Sequence, residues 1–194
     1  MCIRDRANLC RLADDYETAE LLCLQFIRAF GEDAPTLNIL SIICNATCRR
    51  PQALCYSKQA VSLVPENPIY AGNLGCYLAD TGRNKEAEAV LRRALAIRED
   101  LVYVHEHLGC LLKHMGRLDE AGAEFRRGVE LLHYSATTAP PDRDSLCGLT
   151  RLFRHLGEQD KADDFAERYR LARETEDRGG DERFVIATYR SEAQ

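Results

Sequence analysis

Apolar residues return every three or four positions along most of the chain, and the whole pattern returns every 34. Leu74 and Leu78 share one helical face, and Leu108 and Leu112 repeat them. Beyond Gly82 and Gly116, Ala87, Leu91 and Ala94, and then Ala121, Phe125 and Gly128, continue at helical spacing. The stretches LGCYLADTGR (74–83) and LGCLLKHMGR (108–117) agree at six of ten letters. A shift of 34 also aligns Ala19 and Ala53 with Ala87 and Ala121, Ala60 with Ala94 and Gly128, and Leu40 with Leu74 and Leu108. A fixed period of this size is the mark of a solenoid. Each period holds two helical patterns around a glycine, which predicts a helix–turn–helix hairpin. The glycines supply a left-handed turn, and Asn84 suits the cap of the following helix. Helices packed closely cannot both carry large side chains where they cross, so Gly75 and Gly109 are expected to face Ala87 and Ala121.

These residues resemble the tetratricopeptide repeat, whose 34-residue motif runs aromatic-x2-Leu-Gly-x2-Tyr, then Ala-x3-Phe and a late Pro. Residues 68–101 carry Leu74, Gly75, Leu78, Gly82, Ala87, Leu91 and Ala94, and residues 102–135 carry Leu108, Gly109, Leu112, Gly116, Ala121 and Phe125. Residues 34–67 match through Leu40, Ala53, Ala60 and Pro65, and residues 143–176 through Leu149, Phe153, Gly157 and Ala162. A partial unit up to residue 33 offers Ala19 and Cys23. The chain departs from the family in having no tryptophan and only one late proline, Pro65. The resemblance implies an all-α, right-handed superhelical solenoid of about five antiparallel helix hairpins over residues 1–176, the first incomplete.

Two irregularities interrupt the array. Ala121 and Ala162 lie 41 residues apart, so seven extra residues enter near SATTAPPD, predicting a loop insertion over 135–142. After Thr175 the repeat logic stops, and 177–194 is expected to be a cap or tail, with Phe184, Val185 and Ile186 available to cover the last helix. The opening letters MCIRDR resemble a translated sequencing adapter. The natural chain is therefore expected to extend upstream, and Met1–Arg6 to stand outside the fold.

Composition narrows the function. The formal charge of −5 argues against a phosphate-gripping nucleic-acid binder, and no apolar run is long enough for a membrane span. A cytoplasmic protein is the expectation. Nine cysteines, with no CxxC pair and no secretory signal, read as reduced packing residues rather than a disulfide framework. No phosphate-binding, hydrolase or metalloprotease motif occurs, so no enzyme activity and no cofactor are expected. RGGDERF (178–184) is like the GGDEF signature of nucleotide cyclases, but Arg183 splits it and the helical repeats leave no room for such a domain.

His107, Cys110 and His114 lie along one helix, with Cys76 one repeat earlier, and thiolate with imidazole suits zinc or copper. Small-residue packing and a polar face explain the same letters, and no metal is assigned. Cys44 and Cys48, one turn apart beside Arg49 and Arg50, raise the question of a reactive thiol, with burial as the preferred reading.

A partner-binding groove is the stronger candidate. In the family this chain resembles, the first helices of successive units line a concave surface that holds a peptide or a helix. The corresponding positions are Asn38, Ile42 and Asn45, then Ile69, Asn73, Cys76 and Asp80. Tyr103, Glu106, His107, Cys110, Lys113 and His114 follow, and Arg151, Arg154 and His155 end the series. Lys113, Arg151 and Arg154 outnumber Glu106 and Asp144, which implies a protein or peptide partner with an acidic segment. Of the family's carboxylate-holding set only Asn73 is present, so a clamp for a chain terminus is not expected. The expected role is a non-catalytic scaffold or adaptor. The other reading is the repeat region of a larger enzyme, positioning substrate for a catalytic domain elsewhere.

Overall fold

The computed structural model describes residues 2–138 and 143–177, and the described chain is helical throughout. It divides into two compact units, Met1–Glu99 and Asp100–Gln194. The first holds α1 (Ile3–Leu12), α2 (Tyr16–Phe30), α3 (Ala34–Ala46), α4 (Arg50–Leu63), α5 (Pro68–Asp80) and α6 (Asn84–Ile97). The second holds α7 (Val102–His114), α8 (Leu118–Thr138), α9 (Arg143–Leu156) and α10 (Gln159–Asp177). Consecutive helices pair into the five expected hairpins, and α1 begins at Ile3, within the letters set aside as foreign to the fold.

One backbone conformation closes every hairpin. Gly82, Gly116 and Gly157 have φ of 77°, 79° and 78°, as their sequence positions predict. Asp14 and Cys48, at the same repeat positions, adopt φ of 58° and 60° without being glycine. A side chain in this region costs roughly 1–2 kcal/mol. Cys48→Gly is therefore expected to stabilise the protein by about 1 kcal/mol, read as a higher urea midpoint at unchanged slope. An unchanged midpoint would mean that the surrounding turn has already relaxed the strain.

Side chains fix the helix starts. Asp15, Asp33 and Asn67 accept backbone N–H bonds at the heads of α2, α3 and α5, and Pro35, Pro51 and Pro68 fill first-turn positions. Asn84 does not cap α6 as expected. Arg83 holds that position, and its guanidinium grips Glu86 in the first helical turn at 2.8 and 2.5 Å. Arg117 repeats the arrangement on Glu120, whereas Arg49 reaches back to Glu20 on α2 at 2.8 and 2.7 Å.

The repeating small residues are the core. Ala19, Ala53, Ala87 and Ala121 are buried, as are Ala60 and Ala94. The partners of the first-helix glycines differ from expectation. A Cβ on Gly75 would stand 2.6 Å from Leu91, and one on Gly109 would stand 2.5 Å from the Phe125 ring. Each glycine thus receives the large residue one turn beyond the expected alanine. Small still opposes large, but the crossing lies about 5 Å further along the second helix. Gly128 likewise receives Leu152 of the next hairpin, at 3.1 Å from where its Cβ would be.

The seven-residue irregularity also resolves differently. Residues 135–138 are the end of α8, which has 21 residues where α4 and α6 have 14. The extra length is helix. Only 139–142 of the expected loop remain between α8 and α9, and these lie outside the described residues, as do 178–194 with the expected cap and the RGGDERF stretch.

Candidate protein-interaction site

In the first unit, α1, α3 and α5 border an open depression of about 550 Å3. Arg4, Asn8 and Leu9 line it from α1, Asn38 and Ile39 from α3, and Tyr70 from α5. Capping by Asp33 and the fixed φ of Pro35 set the course of α3, and Asn67 does the same for α5. Arg4 is held by Asp33 at 2.7 Å and lies over the Phe26 ring. The Asn73 amide donates to Asn38 Oδ1 at 2.8 Å, joining two residues singled out from the repeat. That bond leaves the Asn38 amide N–H groups and the Asn73 carbonyl oxygen for a ligand. Ile42 is half-buried beside them, while Asn45, Ile69 and Asp80 are exposed. Cys76 is not a surface residue: it is 6% exposed and packs inward, because its face of α5 turns into the core.

In the second unit one of the three cations that the sequence suggested is spent internally. Arg151 on α9 donates through Nε and Nη2 to both carboxylate oxygens of Glu106 on α7, at 2.8 and 3.0 Å. This bond raises the Arg151 pKa further and removes the free cation that the sequence suggested. His155 lies flat on the Phe125 ring, with centroids 4.7 Å apart, and its Nε2 is 3.6 Å from Cys110 Sγ. Burial lowers the His155 pKa, against the opposing pull of Glu106, and so favours the neutral ring. Burial, and then the Glu106 charge, raise that of Cys110, which stays a thiol. Lys113, His107, His114 and Arg154 are exposed, Tyr103 is half-buried, and the Asp144 side chain lies outside the described residues.

The other chemistry considered from sequence finds little geometry. Among the described residues, no three His, Cys, Asp or Glu side chains are grouped to hold a metal ion. Cys48 is not on the helical face of Cys44, because α3 ends at Ala46 and Cys48 sits in the turn. Burial raises the Cys44 pKa and pushes that of Cys23 up to about 12. Cys23, Cys44 and Cys76 are packing residues, but Cys2, Cys48 and Cys55 are exposed, and none of the nine described cysteines is in a disulfide. No described helix is long and apolar enough to cross a membrane.

Sequence reasoning passes over Arg4, Asn8 and Tyr70. The period itself holds the signal for the first two: 34 residues before Asn38 and Ile42 stand Arg4 and Asn8.

Sequence models of the tetratricopeptide repeat match residues 70–102 and 102–131. Residues 70–131 carry tetratricopeptide repeats. Solved structures share this repeat fold. The tetratricopeptide repeat protein TTC0263 of Thermus thermophilus superposes with a TM-score of 0.67 at 17% identity, over 88% of this chain and 96% of that one. MamA superposes at 0.58 and 17% identity, over 89% and 96%. An O-GlcNAc transferase of Thermobaculum terrenum matches at 0.57 and 21% identity, over 70% of this chain but 25% of the enzyme. No curated protein sequence matches. Tetratricopeptide repeats generally serve contacts between proteins, and that is the class of function these findings support.

Proposed function

We propose that this tetratricopeptide repeat protein is a non-catalytic scaffold whose first unit holds an extended or helical segment of a partner along α1, α3 and α5. The observation that carries the reading is the Asn73–Asn38 hydrogen bond beside an open depression. Two linked amides present one donor group and one acceptor side by side, which is what a peptide backbone needs from a surface. Ile42 and Ile69 add apolar contact, and Arg4, held by Asp33, lines the depression beside them. In the second unit Tyr103, His107, Lys113, His114 and Arg154 offer a second contact surface, with Lys113 and Arg154 drawn to an acidic segment. Glu106 and Arg151 hold each other, so their part is to position α7 against α9.

Selection of displayed random peptides on the protein tests this reading. Peptides recovered on the wild type are expected to bind Asn38→Ala/Asn73→Ala about tenfold more weakly, since each lost hydrogen bond contributes about 0.5–1.5 kcal/mol. Equal affinity in a variant of unchanged helicity would remove the amide pair from the site. Binding through Lys113 and Arg154 would also weaken as salt rises. A second reading, the repeat region of a larger enzyme, draws on the quarter-length match to the transferase. The full reading frame decides it.

A further inference from the structure

The outward side of α2 departs from the rest of the repeat. Leu21 and Leu24 are 56% and 44% exposed. At the same two positions the second, third and fourth hairpins carry Cys55 and Lys58, Ala89 and Arg92, and Ala123 and Arg126, and the fifth carries Asp164 and Glu167. The three middle hairpins place a small residue and then a cation on this face and the fifth places two acids, whereas the first places a leucine pair. The two leucines lie on the side of α2 opposite the buried Ala19, Leu22 and Cys23, so about half of their surface is left to solvent.

The leucines have charged neighbours on the same line. Glu17, Leu21, Leu24 and Arg28 follow one another at steps of four, three and four, the spacing of a coiled-coil seam, and all four are exposed. The stripe reads acid–Leu–Leu–base, and it is complementary to itself when reversed. If a second α2 is laid antiparallel across the first, Leu21 meets Leu24 of the other copy, and Glu17 meets Arg28 at both ends. A parallel pairing would set acid against acid and base against base. Flanking residues raise no objection: Thr18 and Gln25 are neutral, and Glu20 is already engaged by Arg49.

We infer that a second copy of this chain docks on the outward face of α2, antiparallel across a twofold axis, through Leu21, Leu24 and the Glu17–Arg28 pairs. The patch is small, so the association is weak and reversible, at the low end of specific interfaces. It lies on the far side of α2 from the packed core and is separate from the proposed peptide surface.

Sedimentation velocity of the full chain in reductant, from about 10 to 500 µM, is the test, the range being set by the interface size. The wild type is expected to move from monomer to dimer across that range. Glu17→Arg alone and Arg28→Glu alone each set like charges opposite one another at both ends and should weaken the dimer at least about tenfold. The double swap, Glu17→Arg with Arg28→Glu, restores opposite charges and should return the affinity to within about threefold of wild type. Circular dichroism checks that each variant keeps its helices. A monomer at the highest concentration overturns the inference. So does a dimer indifferent to the single changes, or a double swap that fails to recover.

Discussion

Phe125→Ala is expected to cost about 3–5 kcal/mol, the largest loss available from one side chain in the second unit. Phe125 is 2% exposed and performs two packing tasks at once. One ring edge fills the hollow that Gly109 leaves on α7, and one face supports the His155 imidazole of α9. Truncation opens a cavity between two helices whose backbones approach closely, so the walls cannot collapse to fill it. Urea unfolding followed by circular dichroism gives the value directly. A double-mutant cycle with Gly109→Ala sharpens it. In the wild type the added methyl strikes the ring, whereas in the Phe125→Ala background it has room, so the two changes should be strongly non-additive. Additive losses would mean that the Gly109–Phe125 contact is not the determinant of that crossing.

Leu152→Ala is expected to cost about 2–5 kcal/mol and to loosen the last hairpin in particular. Leu152 is fully buried and seats against Gly128 on α8, so it joins α9–α10 to the hairpin before it. The polar bridges to α9, Arg151 to Glu106 and His155 toward Cys110, are partly exposed and contribute much less. Amide hydrogen exchange discriminates the parts. In the variant, protection should fall first in α9 and α10 while α7 and α8 keep theirs. A uniform loss would show instead that the whole unit opens as one.

The hairpins and their small-residue core are legible because a solenoid writes each structural position several times. A buried alanine that recurs at 19, 53, 87 and 121 announces itself without a structure. What each residue touches across a helix crossing is not periodic information. Spacing misplaces the partner of Gly75 by one turn, since it gives the face of a helix but not its axial offset against a neighbour. Positive φ is legible where glycine supplies it and silent at Asp14 and Cys48, where local geometry overrides residue preference.

The candidate site divides along the same line. Asn38 and Asn73 emerge from carrying one repeat position onto the next, and they meet. Arg151 reads as a free cation because its partner, Glu106, is 45 residues away, across the one place where the period of 34 fails. Cys76 reads as surface because a small polarizable residue looks the same in a groove and in a core.

The longer α8 keeps the helical phase of the shorter second helices. Seven residues complete nearly two full turns, so the added segment advances the helix by about 10 Å while rotating its end by only about 20°. The last residue of α8 therefore faces almost the same side of its own helix as the last residues of the 14-residue α4 and α6 do of theirs. An addition of five residues would have turned it roughly halfway round.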